Sequence, residues 1–268
     1  MPHTLVHGEK LYYEEHGDAD GVPLVLAMGM GGSCRGWLPL QVPELSRHRR
    51  TLIFDYPGVG QSSGGEAPFS TADLAHTLIG LLDALEIPRV SLLGAFMGGM
   101  VAQHTALEHP DRVERLVLVG TYARPDAKRR MLLSHWRDLA QEGVPVEVLV
   151  RDRLLWTAQD ATIEQTDLIE QMIAFFRRDG APLSADLFAR QCEACLAHDT
   201  LDRVREIAHP TLVACGRHDA LTPPAFHRVL ADEIPNARLV TFAYGAHLVM
   251  VESAESFNHA VVEFVSDT

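Results

Sequence analysis

Short, uniformly apolar runs recur along this chain, separated by longer stretches with helical spacing. Five stand out: Val22–Ala27, Thr51–Phe54, Val90–Leu93, Leu116–Val119 and Thr211–Cys215. Runs this short and this apolar predict strands buried on both faces, and strands that alternate with helices are joined in parallel by crossovers. Between the second and third runs, Ser70-Thr71-Ala72-Asp73 has the S-x-x-D pattern of a helix start. Leu74, Leu78, Leu81, Leu82 and Leu85 follow at helical spacing. That stretch is the first predicted crossover. Leu5-Val6 with Lys10–His16 predicts a hairpin ahead of the sheet, and Arg238–Phe242 predicts its last strand.

The rhythm changes in the middle of the chain. From residue 124 to 207 the strand-like runs give way to helical patterns, such as Met131, Leu132, His135, Trp136, Leu139 and then Ile169, Met172, Ile173, Phe176. The expectation is an α/β core, residues 1–123 and 208–268, with a mostly parallel central sheet flanked by helices. A helical cap over residues 124–207 is inserted into it.

Charge removes one class of partner. With 23 Lys+Arg against 36 Asp+Glu the net charge is −13, which repels nucleic acid. No apolar stretch approaches the ~18 residues of a membrane span. Nor does the N-terminal sequence show a basic segment followed by an apolar one, so a cytoplasmic protein is expected. Cys34, Cys192, Cys195 and Cys215 are too scattered for a disulfide framework. Cys192-x-x-Cys195 falls in a predicted helix, Ala185–His198, without a second pair, and reads as packing rather than a metal site. No phosphate-cradling glycine motif is present, so neither cofactor nor metal is expected and the partner is a small-molecule substrate. Oligomeric state stays open.

The run Val90–Leu93 leads directly into Gly94-Ala95-Phe96-Met97-Gly98-Gly99 and then into a helical stretch, Met100–His109, before Pro110. A tight strand-to-helix turn with glycines on both sides resembles the nucleophile elbow, G-x-S-x-G, of the α/β-hydrolase family. Phe96 stands where that pattern has its serine, and a phenyl ring can neither attack a carbonyl nor pass a proton. A literal match, Gly60-Gln61-Ser62-Ser63-Gly64, lies in a loop beyond Asp55 with Gly65 and Pro68 where a helix would have to begin, so it reads as a loop.

The resemblance extends over nearly the whole chain and implies roles for further residues. Met28-Gly29-Met30-Gly31-Gly32 follows the first core run where the family usually has His-Gly, which implies the Met30 and Met97 backbone N–H groups as oxyanion donors. Gly216-Arg217-His218-Asp219 and Gly245-Ala246-His247 follow the last two runs. Asp219 matches the family's triad acid, and His247 its catalytic histidine, in the family's chain order. Three readings follow. In the first, His247 and Asp219 act as a general base without covalent catalysis on a small, largely apolar carbonyl compound, in lyase, decarboxylase, cyclase or direct-water hydrolase chemistry. In the second, the chain is a serine esterase or lactonase inactivated at its nucleophile. The third is a non-catalytic ligand-binding protein. Trp37, Trp136 and Trp156, with Phe175 and Phe176, are the candidate pocket aromatics, and Cys34 is the alternative nucleophile.

Overall fold

The computed structural model describes residues 2–18, 20–178 and 184–266. Each predicted run is a strand: β1 (His3–Val6), β2 (Glu9–His16), β3 (Leu24–Ala27), β4 (Thr51–Phe54), β5 (Val90–Ala95), β6 (Val113–Val119), β7 (Thr211–Gly216) and β8 (Ala237–Phe242). They form one sheet in the order β1-β2-β4-β3-β5-β6-β7-β8. β1–β2 and β2–β4 pair antiparallel, and every other pair is parallel.

Side chains alternate across the sheet, so uniform apolarity is what burial on both faces requires. Val25, Leu116 and Leu118 enter one core, whereas Leu24, Leu26, Val117 and Val119 enter the other. Helices α1 (Val42–Leu45), α2 (Thr71–Ala84) and α3 (Met97–Glu108) connect the first strands. Leu74, Leu78, Leu81 and Leu82 of α2 pack into the first core. Its start is fixed by a full capping box: Ser70 Oγ accepts from the Asp73 N–H at 3.1 Å, and Asp73 Oδ2 accepts from the Ser70 N–H at 2.8 Å.

Between β6 and β7 the chain makes α4 (Ala127–Gln141), α5 (Val146–Thr157), α6 (Asp160–Ile163), α7 (Thr166–Arg178) and α8 (Ala185–Ala197). After β7 come α9 (Pro224–Glu233), α10 (Val249–Glu252) and α11 (Ala254–Ser266). Phe257, Val261 and Phe264 of α11 fill the second core. Several boundaries differ from expectation: β3 begins at Leu24 rather than Val22, and β5 extends to Ala95 rather than Leu93. β6 begins at Val113 rather than Leu116, and α3 begins at Met97 rather than Met100, because the turn at Phe96 is tight enough for the helix to start one residue later. No helix among the described residues is long and apolar enough to cross a membrane.

Candidate active site

The C-terminal ends of the parallel strands are where an open α/β sheet leaves a crevice. Phe96, Met30, Asp219 and His247 converge there. At the end of β5, Phe96 has φ 45° and ψ −106°, a positive φ that a bulky side chain rarely takes and that costs on the order of 1–3 kcal/mol. Its surroundings impose that conformation. The Phe96 N–H donates to the Val119 carbonyl at 3.0 Å, and the Phe96 carbonyl accepts from Thr121 Oγ1 at 2.8 Å. The turn also depends on Gly98, where a Cβ would lie 2.1 Å from the Ala27 carbonyl oxygen. The Phe96 ring is buried, with its neighbours Tyr122 and His247 edge-on at centroid distances of 5.9 and 5.4 Å.

Beyond β7, Asp219 accepts from the Thr222 N–H and the Thr222 hydroxyl, each at 2.7 Å. His247, beyond β8, places Nδ1 3.0 Å from Asp219 Oδ2. An ionised carboxylate only accepts, so Nδ1 carries the proton and Nε2 is left with a free lone pair. Burial pushes the Asp219 carboxyl upward. The adjacent His247 and the Thr222 N–H outweigh burial and hold it below the ordinary carboxylate range. Behind it, His227 is pulled down to about 4, chiefly by burial, and accepts from the Thr121 N–H through Nε2 at 3.2 Å. Glu252 joins two loops: one oxygen accepts from the Ala246 N–H next to His247. The other accepts from the Gln159 N–H at 2.9 Å and the Thr162 hydroxyl at 2.7 Å.

Phe96 and His247 border one cavity of about 150 Å³, together with Gly29, Met30 and residues of the insertion. Met30 therefore reaches the wall. Met97, fully buried at the first turn of α3, does not. The sequence profile of the alpha/beta hydrolase fold matches residues 22–254. The chain belongs to the α/β-hydrolase fold family. An Azorhizobium caulinodans protein named "Putative carbamate hydrolase RutD" is 31% identical over 273 residues, covering 100% of this chain and 99% of that one. The solved enol-lactonase of Burkholderia xenovorans LB400 is 30% identical with a TM-score of 0.90, covering 99% of this chain and 100% of its own. A solved hydrolase from Pseudomonas aeruginosa matches with the same identity and TM-score, covering 99% and 98%.

Within this α/β-hydrolase, the aromatic expectations divide. Trp136 lines the cavity and donates from Nε1 to Asp152 Oδ2 at 2.6 Å, and Phe176 lines it too. Trp37 does not: it sits in a one-turn helix, Cys34–Trp37, packed into the second core across the sheet. Trp156 does not either, for a helical reason. Val150, Arg153, Leu154 and Thr157 of α5 face the cavity at i, i+3, i+4 and i+7, and residue 156 falls off that stripe. Lys128 Nζ covers the Trp156 ring at 4.8 Å. Arg153 escaped the sequence reading, although a cation inside an i/i+3/i+4/i+7 stripe was the available signal.

The remaining candidates lie elsewhere. Cys34 is buried in the second core and does not border the cavity; burial, then Asp55, raises its thiol far above the usual range, so it is no thiolate. Ser62 Oγ accepts from the Tyr12 N–H at 2.9 Å and donates to the Asp55 carbonyl at 2.8 Å, so the literal G-x-S-x-G serves to fasten a loop. Cys192 and Cys195 are buried on α8, free of any disulfide. One trio of possible metal donors exists among the described residues, His76, Glu108 and His109, with atoms within 4.8 Å of one another; none of the three borders the cavity.

Proposed function

We propose that this α/β-hydrolase acts on a small carbonyl compound by general-base catalysis without an acyl-enzyme. The observation that carries the reading is an intact Asp219–His247 pair whose imidazole borders the same cavity as Phe96, a residue whose ring offers no nucleophilic atom at the tip of the turn. His247 Nε2 takes a proton from water as the water oxygen adds to the carbonyl carbon. The electron pair moves to the carbonyl oxygen, which the Met30 N–H stabilises; Met97, which does not border the cavity, has no part in this. Collapse of that oxyanion expels the leaving group, which takes the proton back from His247. Asp219 holds the imidazole tautomer throughout and stabilises the cation formed midway. The helical insertion acts as the cap that closes the cavity from above. Water as the attacking group is favoured over a carbon acid by the names of the relatives, a carbamate hydrolase and an enol-lactonase.

The test is turnover of small lactones, carbamates and aryl esters by the protein and by His247→Ala. A loss of roughly 10²–10⁴-fold in kcat/KM is expected, the usual worth of a positioned base. Intact-mass spectrometry during turnover should find only unmodified chain. An acyl adduct, or equal rates for the two proteins, overturns the mechanism.

A further inference from the structure

Arg153 is the one permanently charged side chain in the cavity wall among the described residues. Its situation is unusual in a chain with an excess of thirteen acidic residues. Nη2 donates to the Met30 carbonyl at 2.8 Å, and Nε is buried without a hydrogen-bond partner. Asp152, next in sequence, accepts from Trp136 instead. The guanidinium lies over two rings, 5.1 Å from the Phe188 centroid and 5.6 Å from that of Phe176. Its seat is cut into the backbone: at Gly31, whose φ is +78°, a Cβ would lie 2.5 Å from Nη1. Burial lowers the guanidinium to about 10, which leaves it charged at neutral pH. It also borders a second cavity, of about 250 Å³, and so forms part of the partition between the two.

Arg153 is half-buried with its Nε enclosed; among the described residues no carboxylate faces its guanidinium, and one backbone carbonyl occupies only one of its five donors. A cation so enclosed is destabilising unless something supplies the anion. We propose that Arg153 is a carboxylate-binding subsite and that the molecule handled here is a small carboxylic acid. Its carboxylate pairs with the guanidinium while its second carbonyl lies against Met30 and His247. The inference rests on the proposed use of this cavity for the reaction. Two observations set the size. A cavity of about 150 Å³ holds a body the size of benzene. The guanidinium is bonded to the carbonyl of the residue whose N–H supports the oxyanion, so the spacer between the two ends of the molecule is short.

Benzoate and benzamide share a ring and a shape and differ in charge, which makes them the probes. By titration calorimetry the wild-type protein should bind benzoate at least about tenfold more tightly than benzamide, as charge-assisted pairing outside bulk water provides. Arg153→Met should remove that preference and leave benzamide binding within about twofold. Arg153→Lys keeps a cation without the planar fork, so a preference of a few-fold should persist. His247→Ala should keep the full preference, which separates failure of this subsite from failure of the proposed chemistry. Equal affinity for both probes in the wild type, no measurable binding of either, or a preference that survives in Arg153→Met overturns the proposal.

Discussion

The wall that the strand ends contribute to the cavity and the wall that α5 and α7 contribute are held by different means. Phe96, Met30 and His247 stand on the segments that follow β5, β3 and β8, and these segments are held by backbone hydrogen bonds and by close approaches that only glycine allows. Val150, Leu154 and Ile173 are held by one another, in a small cluster separate from the two cores. That cluster meets the strand side through few polar ties: Arg153 on the Met30 carbonyl, Gln191 accepting from the Gly31 N–H at 2.8 Å, Glu252, and the Leu248 N–H donating to the Thr157 carbonyl at 3.0 Å. A wall fixed by backbone geometry tolerates little change. A wall fixed by side-chain packing can be repacked at modest expense.

The contrast is sharpest for Gly98→Ala. The new Cβ would sit 2.1 Å from the Ala27 carbonyl oxygen and 2.6 Å from its carbon, both backbone atoms of the central sheet. The expected loss exceeds about 4 kcal/mol, the range kept for clashes that a core cannot absorb. Urea denaturation measures it, and a variant of near wild-type stability would show that the turn at Phe96 is adaptable. Asp219→Asn comes next. The amide can donate to Nδ1, which puts the imidazole proton on Nε2 and removes the free lone pair, so kcat should fall roughly 10²–10⁴-fold with KM little changed. A drop confined to KM would assign Asp219 to binding instead.

The two walls also differ in how far the sequence discloses them. The strand runs, the Ser70–Asp73 cap and the turn at Phe96 are legible because each is a local pattern with a fixed geometric consequence, whereas Asp219 and His247 are reached only through the resemblance to the family and its chain order. Each of Phe96, Met30, Asp219 and His247 follows a parallel strand, which brings them to one end of one sheet. Nothing local says which face of α5 meets the cavity, since that depends on how five helices pack between β6 and β7. Trp156 and Arg153 are three residues apart on the same helix, and the size of Trp156 does not reveal that the cavity stripe passes through Arg153 instead. Trp37 was misplaced for a related reason. The chain passes to the far face of the sheet within a few residues of Met30, and no periodicity marks the crossing.

Two buried histidines test how the seam between these regions responds to pH. Burial, with His104 nearby, pulls His198 down to about 3, and His227 lies at about 4 for the reasons given above. His227 belongs to α9 of the core. His198 caps α8 and meets Thr71 of α2, Nδ1 to Oγ1, at 3.0 Å. As pH falls below about 6.5 the unfolded chain takes up these protons while the folded chain refuses them. Each histidine should therefore withdraw about 1.4 kcal/mol of stability per pH unit, down to its own folded value. The urea midpoint should drop between pH 6.5 and 5, above the range where carboxylates alone act. His227→Gln and His198→Gln should each flatten the slope by about half. A midpoint constant from pH 7 to 5 would mean that neither histidine stays neutral in the fold.

The smallest expected effect is the one that most directly divides the walls. Leu154 contributes to the cavity from α5 and makes no hydrogen-bonded contact with Asp219 or His247, so Leu154→Ala is expected to widen the chamber without moving either. Removing three apolar carbons from the wall weakens contact with the substrate body by about 1 kcal/mol or somewhat more, which is several-fold in KM. Because that contact is the same in the ground state and the transition state, kcat should stay within about twofold. Larger substrates should be penalised least, since the new space suits them. Were kcat to fall as far as it does for Asp219→Asn, the insertion would be holding the reacting groups in place, and the division between a wall for chemistry and a wall for fit would not stand.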